Sequence, residues 1–137
     1  MKLLADTGAL LALFNPQDRF HRQATRFVKR AQDTRFVVTE LIVSETVTQL
    51  RSRLAADRAA DVGTALVCSR RYEVLFVDIR LLDAGLGEIR RFADKRLSLA
   101  DAVSFAVIRD LALDGAFTFD RDFRDCGFVT HPALDAS

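Results

Sequence analysis

Apolar residues along this chain change their spacing again and again, from continuous short runs to helical periodicity. Lys2 to Ala5 is a short apolar run that reads as a buried strand, closed by Asp6-Thr7-Gly8, and Ala9 to Phe14 follows as a helix that stops at Asn15-Pro16. Gln17 to Gln32 is polar except at Phe20, Ala24, Phe27, Val28 and Ala31, the stripe of an amphipathic helix. Arg35 to Val38 reads as a second strand. A helix opens at Thr39 with Leu41, Val43, Val47, Leu50 and Leu54 inward, and a weaker one, interrupted by Gly63, spans Asp57 to Arg71. Glu73 to Val77 reads as a third strand, and Asp78 to Lys95 is helical despite Gly85 and Gly87. Ser98 to Leu113 carries the strongest helical pattern, with Gly115 at a typical C-terminal position. Ala116 to Phe119 and Gly127 to Thr130 complete the strands, and a loose tail is expected from about Pro132 to Ser137.

Strands alternating with helices predict an α/β fold: a central, mainly parallel sheet of four or five strands with helices on both faces. No linker, repeat or low-complexity segment interrupts it, so residues 1–137 read as one domain. In such sheets, sites form outside the carboxyl ends of the strands.

Composition narrows the chemistry. Two histidines (His21 and His131) and two isolated cysteines (Cys68 and Cys126) with no C-x-x-C argue against a His/Cys zinc site and suit a reducing cytoplasm. The opening MKLLADTGALLALF is a poor signal peptide, because Asp6 breaks the apolar run and no small-residue cleavage site follows. No stretch reaches the ~18 apolar residues needed to span a bilayer. A net charge of +1 argues against a protein coated in nucleic acid, but leaves room for a local basic patch.

Acids cluster where the strand-end rule points. Asp6 follows the first strand; Asp120 follows the fourth, with Asp122 two residues on. Each has a plainer reading as a helix cap, weaker for Asp120 because no clear helix follows it. Ser98-Leu99-Ala100-Asp101 is a capping-box pattern, yet it opens a helix apolar on almost every side, which places Asp101 near the interior. Glu45 has Leu41 and Ile42 on its own helical face, whereas Glu40 sits at the helix start, where the dipole favours an acid. Several carboxylates at close range repel unless a cation joins them, and Mg²⁺ or Mn²⁺ prefers oxygen ligands. Such a site suits phosphate-ester chemistry.

Four segments carry a family resemblance: LLADTGALLALFNPQDRFH, VVTELIVSETVTQLRSRL, RLSLADAVSFAVIRDL and AFTFDRDF. Together they resemble a PIN-domain nuclease, and within that group the VapC-type toxins of type II toxin–antitoxin systems. The resemblance covers essentially the whole chain. It implies a PIN-like three-layer sandwich and a Mg²⁺-dependent endoribonuclease, with Mn²⁺ as a substitute ion. Asp6 and Asp101 would bind the metal, Glu45 and Asp120 would complete the catalytic set, and Thr7 would orient it or simply hold a turn. It further implies an RNA substrate, a small antitoxin that inserts an Arg near the acids, and a homodimer.

Other readings compete. A response-regulator receiver would want paired acids after the first strand and a supporting Lys, and an aspartyl-nucleophile phosphatase would want D-x-D; Asp6-Thr7-Gly8-Ala9 satisfies neither. A non-catalytic binding module on the same fold would have no reason to keep all four acids together. Arg70-Arg71 and Arg90-Arg91 are candidate phosphate contacts or solvated helix faces, His21 a surface or partner-facing residue, and most of the eleven Phe core.

Overall fold

The computed structural model describes residues 1–134. Five strands, β1 (Lys2–Ala5), β2 (Arg35–Thr39), β3 (Tyr72–Leu75), β4 (Ala116–Phe117) and β5 (Thr130–His131), form one sheet in the order β3-β2-β1-β4-β5. Every neighbouring pair is parallel, with Leu3 opposite Phe36 and Ala5 opposite Phe117. Leu3 and Leu4 point to opposite faces, as do Phe36, Val37 and Val38 in turn, and all are fully buried. Only a sheet covered on both faces buries consecutive residues in this way. The α/β expectation therefore holds, with a sheet that is wholly parallel.

The helices are α1 (Thr7–Phe14), α2 (His21–Arg30), α3 (Glu40–Arg51), α4 (Ala56–Cys68), α5 (Ile79–Arg91), α6 (Leu99–Asp110) and the short α7 (Arg121–Asp125). Seven consecutive buried residues, Ala102 to Ile108, with Ala100 buried just before the half-buried Asp101, make α6 the central helix. α5 lies against it because Gly85 leaves room: a Cβ there would meet Val103 Cγ2 at 2.5 Å. The glycine that weakened the helical pattern is the contact that seats α5.

Several boundaries move, each for a local reason. α6 ends at Asp110, and the left-handed residue beyond it is Ala112 (φ +48°) rather than Gly115. The Leu113 N–H returns to the Ile108 carbonyl at 3.0 Å, closing the helix before Gly115 is reached. Gly115 serves the sheet instead, because its φ of +145° brings it so close to β5's approach that a Cβ would sit 2.4 Å from the Val129 carbonyl oxygen. β3 stops at Leu75, two residues early, since Glu40 takes the next available donor: both its carboxylate oxygens accept the Val77 N–H at 2.9 Å. Glu40 thus ties α3 to the end of β3, while Thr39 caps α3 through the Ile42 N–H.

Arg71 is not a solvated phosphate contact. Its guanidinium donates to the carbonyls of Val28, Ala31 and Thr34 at 3.0, 2.6 and 3.2 Å, closing the C-terminus of α2, where the dipole favours a cation. His21 is half-buried, with Nδ1 at 2.8 Å from the Ala12 carbonyl, so it joins α2 to α1 rather than facing solvent. The phenylalanine core is as expected: Phe36, Phe105, Phe117 and Phe123 are fully buried. Of the expected tail, Pro132–Leu134 border a hollow beside α2, and 135–137 lie outside the described residues.

Candidate active site

β1 is the middle strand, and the chain reaches its two neighbours by crossovers in opposite directions, β2 on one side and β4 on the other. Such a reversal opens a crevice at the strand carboxyl ends. Asp6 occupies that crevice. Its backbone N–H donates to the Phe117 carbonyl at 3.1 Å, so the residue is still held by the sheet as α1 begins. One carboxylate oxygen caps α1, accepting the Ala9 N–H at 2.7 Å, and the other accepts the Thr118 hydroxyl at 2.5 Å. Asp6 is only 4% exposed.

The other acids arrive from three elements. Asp101 stands in the first turn of α6, where Ser98 Oγ accepts its N–H at 3.0 Å. Ser98 is thus the N-cap of α6, and its hydroxyl and N–H lower the proton affinity of the Asp101 carboxylate. Glu45 projects from α3 and accepts the Thr7 hydroxyl at 2.9 Å. Thr7 therefore orients an acid, as the resemblance implied. Asp120 is exposed and lies three residues past the last residue of β4. It caps a short helix after all: its carboxylate accepts the Asp122 N–H at 2.9 Å at the start of α7. That helix was invisible in the sequence because it has a single turn's worth of residues and no apolar stripe.

Asp6, Thr7, Glu45, Ser98, Asp101 and Asp120 line one open cleft of about 690 Å³. Asp122 is not among its lining residues; it lies 4.0 Å from Lys95 on the far side of α7's first turn. Asn15, Gln17, Arg19, Gln49 and Arg53 line the same cleft.

The acids feel one another. Burial pushes Asp6 from 3.8 up to about 7, and the charges of Asp101 and Asp120 add to it, against the lowering effect of Thr118 and Ala9. Asp101 is pushed up to about 6, first by burial, then by Asp120, with a smaller contribution from Glu45. Two acids that hold protons near neutrality are donors short of a positive charge. All four offer only oxygen, the ligand type of Mg²⁺ and Mn²⁺. Among the described residues, no three His, Cys, Asp or Glu are close enough together to hold a metal ion by themselves, so an ion here would rest on fewer protein ligands and on water. An open set of carboxylates fits Mg²⁺, which keeps several of its waters.

One residue of this site escaped the sequence reading. Thr118 is fully buried, and its hydroxyl both donates to Asp6 and accepts the Asp120 N–H at 2.9 Å. It links two acids 114 residues apart in sequence, and only its place in the strand-end run Phe117-Thr118-Phe119-Asp120 could have drawn notice.

The chain belongs to the PIN domain family, whose pattern it matches over residues 3–129. Mycobacterium tuberculosis VapC20, named a 23S rRNA-specific endonuclease, is 31% identical over 127 residues, which cover 93% of this chain and 95% of the relative. The crystal structure of that protein, described as a sarcin–ricin-loop-cleaving toxin, superposes with a TM-score of 0.82 at 30% identity, covering 93% of this chain and 96% of the other. A toxin–antitoxin complex from Klebsiella pneumoniae shares the fold at a TM-score of 0.66 and 14% identity, over 88% of each chain. FitAcB from Neisseria gonorrhoeae does so at 0.59 and 17%, again over 88% of each.

Proposed function

We propose that this chain is a Mg²⁺-dependent endoribonuclease, the toxin component of a type II toxin–antitoxin system. The observation that carries the reading is the cleft at the β1/β4 crevice, where Asp6 and Asp101 are both driven toward neutrality by burial and by neighbouring acids. Asp6 and Asp101 would hold the ion, with Glu45 and Asp120 completing the set; Mn²⁺ is the natural substitute. When bound, such an ion makes an attacking water more acidic and offsets charge building on the phosphoryl oxygens. Thr118 aims the Asp6 carboxylate and opposes its protonation by donating to it, and Thr7 orients Glu45 by donating to its carboxylate. Asp120, exposed at the cleft mouth, can take a proton from a water approaching phosphorus. The relative's name makes 23S rRNA the first substrate to try.

The remaining assignments rest on separate supports. A contiguous core from Leu3 to Phe128 supports reading 1–137 as one nuclease domain. Phe76, Ile79, Leu82 and Leu86, exposed by 74, 86, 36 and 40%, form an apolar stripe along the start of α5 that would serve a homodimer. A cleft walled by acids invites a basic side chain, which supports an antitoxin that inserts an Arg. Two free cysteines suit the cytoplasm. Among the described residues, no helix is long and apolar enough to cross a membrane.

The test is cleavage of ribosomal and mixed RNA by the purified chain with Mg²⁺, Mn²⁺ or EDTA, beside the Asp101→Asn variant. Asn keeps the size and helix-start preference of Asp, so the variant should fold and melt no lower than the metal-free wild type. Cleavage that needs the ion and disappears in the variant is the expected result. Cleavage that persists in EDTA, or in Asp101→Asn, overturns the mechanism.

A further inference from the structure

The arginines of this protein differ in what holds them. Arg80 and Arg109 are ion-paired, to Asp110 at 2.9 Å and to Glu88 at 2.7 Å. Arg26, Arg30, Arg53, Arg58 and Arg121 are exposed and form no ion pair among the described residues. Other exposed arginines, Arg22, Arg70, Arg91 and Arg96 among them, also make no ion pair among the described residues, but these five share hollows that adjoin the acidic cleft. Arg53 and Arg58 line a hollow of about 400 Å³ at the α3–α4 turn, which shares Asn15, Gln17 and Arg53 with the acidic cleft. Arg26, Arg30 and Arg121 line another, of about 440 Å³, which shares Phe20 and Phe119 with it. The acidic cleft is therefore the middle of three joined hollows, with unpaired guanidiniums in both outer ones.

The threshold on the second side is built firmly. The Phe20 and Phe119 rings stack with centroids 4.7 Å apart and planes 1° from parallel, and Arg19 lies 4.5 Å over the Phe20 ring. Arg19 thus holds a positive charge at the edge of the acidic cleft without neutralising an acid.

This pattern of charge poses a problem that one occupant solves. A near-neutral protein has little long-range pull on a polyanion, and its acidic centre repels one. Binding must come from guanidiniums beside the acids rather than among them. We infer that a single RNA strand lies along all three hollows, its phosphates gripped by Arg53 and Arg58 on one side of the acids and by Arg26, Arg30 and Arg121 on the other. The inference rests on the ribonuclease reading above and adds to it where the strand runs. Gripping both flanks lowers the scissile phosphate into a centre that would otherwise push it away.

Binding can be separated from cleavage by working in Asp101→Asn protein with EDTA, using a fluorescent single-stranded RNA and a salt titration. R26Q/R30Q/R121Q should bind at least about tenfold more weakly at low salt, with a log–log salt slope shallower by about 2, from ~0.7 per lost phosphate contact. R53Q/R58Q should reduce the slope by about 1.4. R80Q/R90Q, which removes two positive charges from α5 as R53Q/R58Q does from the α3–α4 turn, should bind like the parent. Shortening the RNA from one end should abolish sensitivity to one arm only. Arm variants that bind like R80Q/R90Q overturn the track. So do arm variants that keep RNA binding but escape an acidic antitoxin, which would assign these arginines to a protein segment. The ribonuclease reading is checked apart, on protein with Asp101 intact. If that protein cleaves RNA with Mg²⁺ and the arms do not matter, the track falls and the reading stands. If it binds along both arms without cleaving, the reading falls and the track stands.

Discussion

Asp6 and Asp78 do the same local job at the ends of two strands of one sheet. Each follows a parallel strand and caps the next helix, Asp6 accepting the Ala9 N–H at 2.7 Å and Asp78 the Leu81 N–H at 2.8 Å. Their surroundings differ completely. β3 is an edge strand, and Asp78 is exposed. β1 is the central strand, and Asp6 is buried beside Asp101 and Asp120, with Thr118 on its second oxygen. Capping and site chemistry are therefore not rival explanations of an acid. The cap satisfies one oxygen in both places, and the position in the sheet decides whether the other oxygen meets water or a cleft.

The largest effect should come from removing charge at one of these ends and not the other. Asp6→Asn and Asp101→Asn should each lower Mg²⁺-dependent RNA cleavage by at least about a hundredfold, while Asp78→Asn leaves it unchanged. Asn retains the capping ability of Asp, so all three should still fold and melt cooperatively, with Asp78→Asn within about 1 kcal/mol of wild type. Equal activity in Asp6→Asn and Asp78→Asn protein would dissolve the contrast.

Ion binding should show the same asymmetry without any substrate. At pH 8 Mg²⁺ or Mn²⁺ should raise the melting temperature of wild type and of Asp78→Asn, because a ligand that binds only the folded state stabilises it. Asp6→Asn and Asp101→Asn should respond much less. A uniform response across the four proteins would place the ion elsewhere.

A pH effect follows in the metal-free protein. Asp6 has a folded value of about 7 against an ordinary 3.8, so folding favours its protonated form. Its contribution to stability is complete below about pH 4 and is lost as the pH rises through about 7. Asp101, raised to about 6, acts in the same direction over a slightly lower range. The melting temperature of wild type should thus fall relative to Asp6→Asn between pH 5 and pH 8, since Asn does not titrate and other groups cancel. For so buried a carboxyl the swing is on the order of a few kcal/mol. Asp78→Asn should track wild type throughout, and Mg²⁺ should flatten the wild-type curve at its alkaline end. A constant difference between wild type and Asp6→Asn would mean that Asp6 is ionised in a cleft that tolerates it.

The contrast also marks what a linear sequence can disclose. Asp6, Asp101, Glu45 and Asp120 were legible because each sits at a position the chain itself defines: a strand end, a first helical turn, a helix face. The parallel sheet was legible because its strands are short apolar runs separated by helices. What stayed hidden depends on partners far along the chain. Thr118 meets Asp6 across 112 residues, Glu40 reaches Val77 across 37, and Arg71 closes a helix that ended 41 residues earlier. In each, a short-range rule offered a plausible alternative, as a strand residue, a helix-start acid or a solvated basic pair. Gly115 misled for the same reason: a nearby helix end could use a glycine, but a backbone approach to Val129 needs one.

Thr118 offers the finest test, because it is the feature Asp6 has and Asp78 lacks. Thr118→Val keeps the shape and removes only the hydroxyl. Two partners lose a bond: the Asp6 carboxylate, and the Asp120 N–H that the hydroxyl accepts. Leaving such groups unpaired costs about 1–3 kcal/mol, or about 3–10 °C of melting temperature for a domain of this size. The more telling change is in pH. The hydroxyl donates to the ionised form of Asp6 and lowers its affinity for a proton, so its loss should raise the Asp6 value further. Mg²⁺ competes with that proton, and the pH–activity profile should therefore shift to the alkaline side. Activity should fall about tenfold near pH 7 and recover toward wild type as the pH rises. Thr7→Val removes a hydroxyl from Glu45 instead and should lower activity without moving the profile along the pH axis. If both variants lose activity equally at every pH, Thr118 serves only to pack β4 against β1. An alkaline shift in Thr118→Val alone would assign it to tuning the acid at the centre of the sheet.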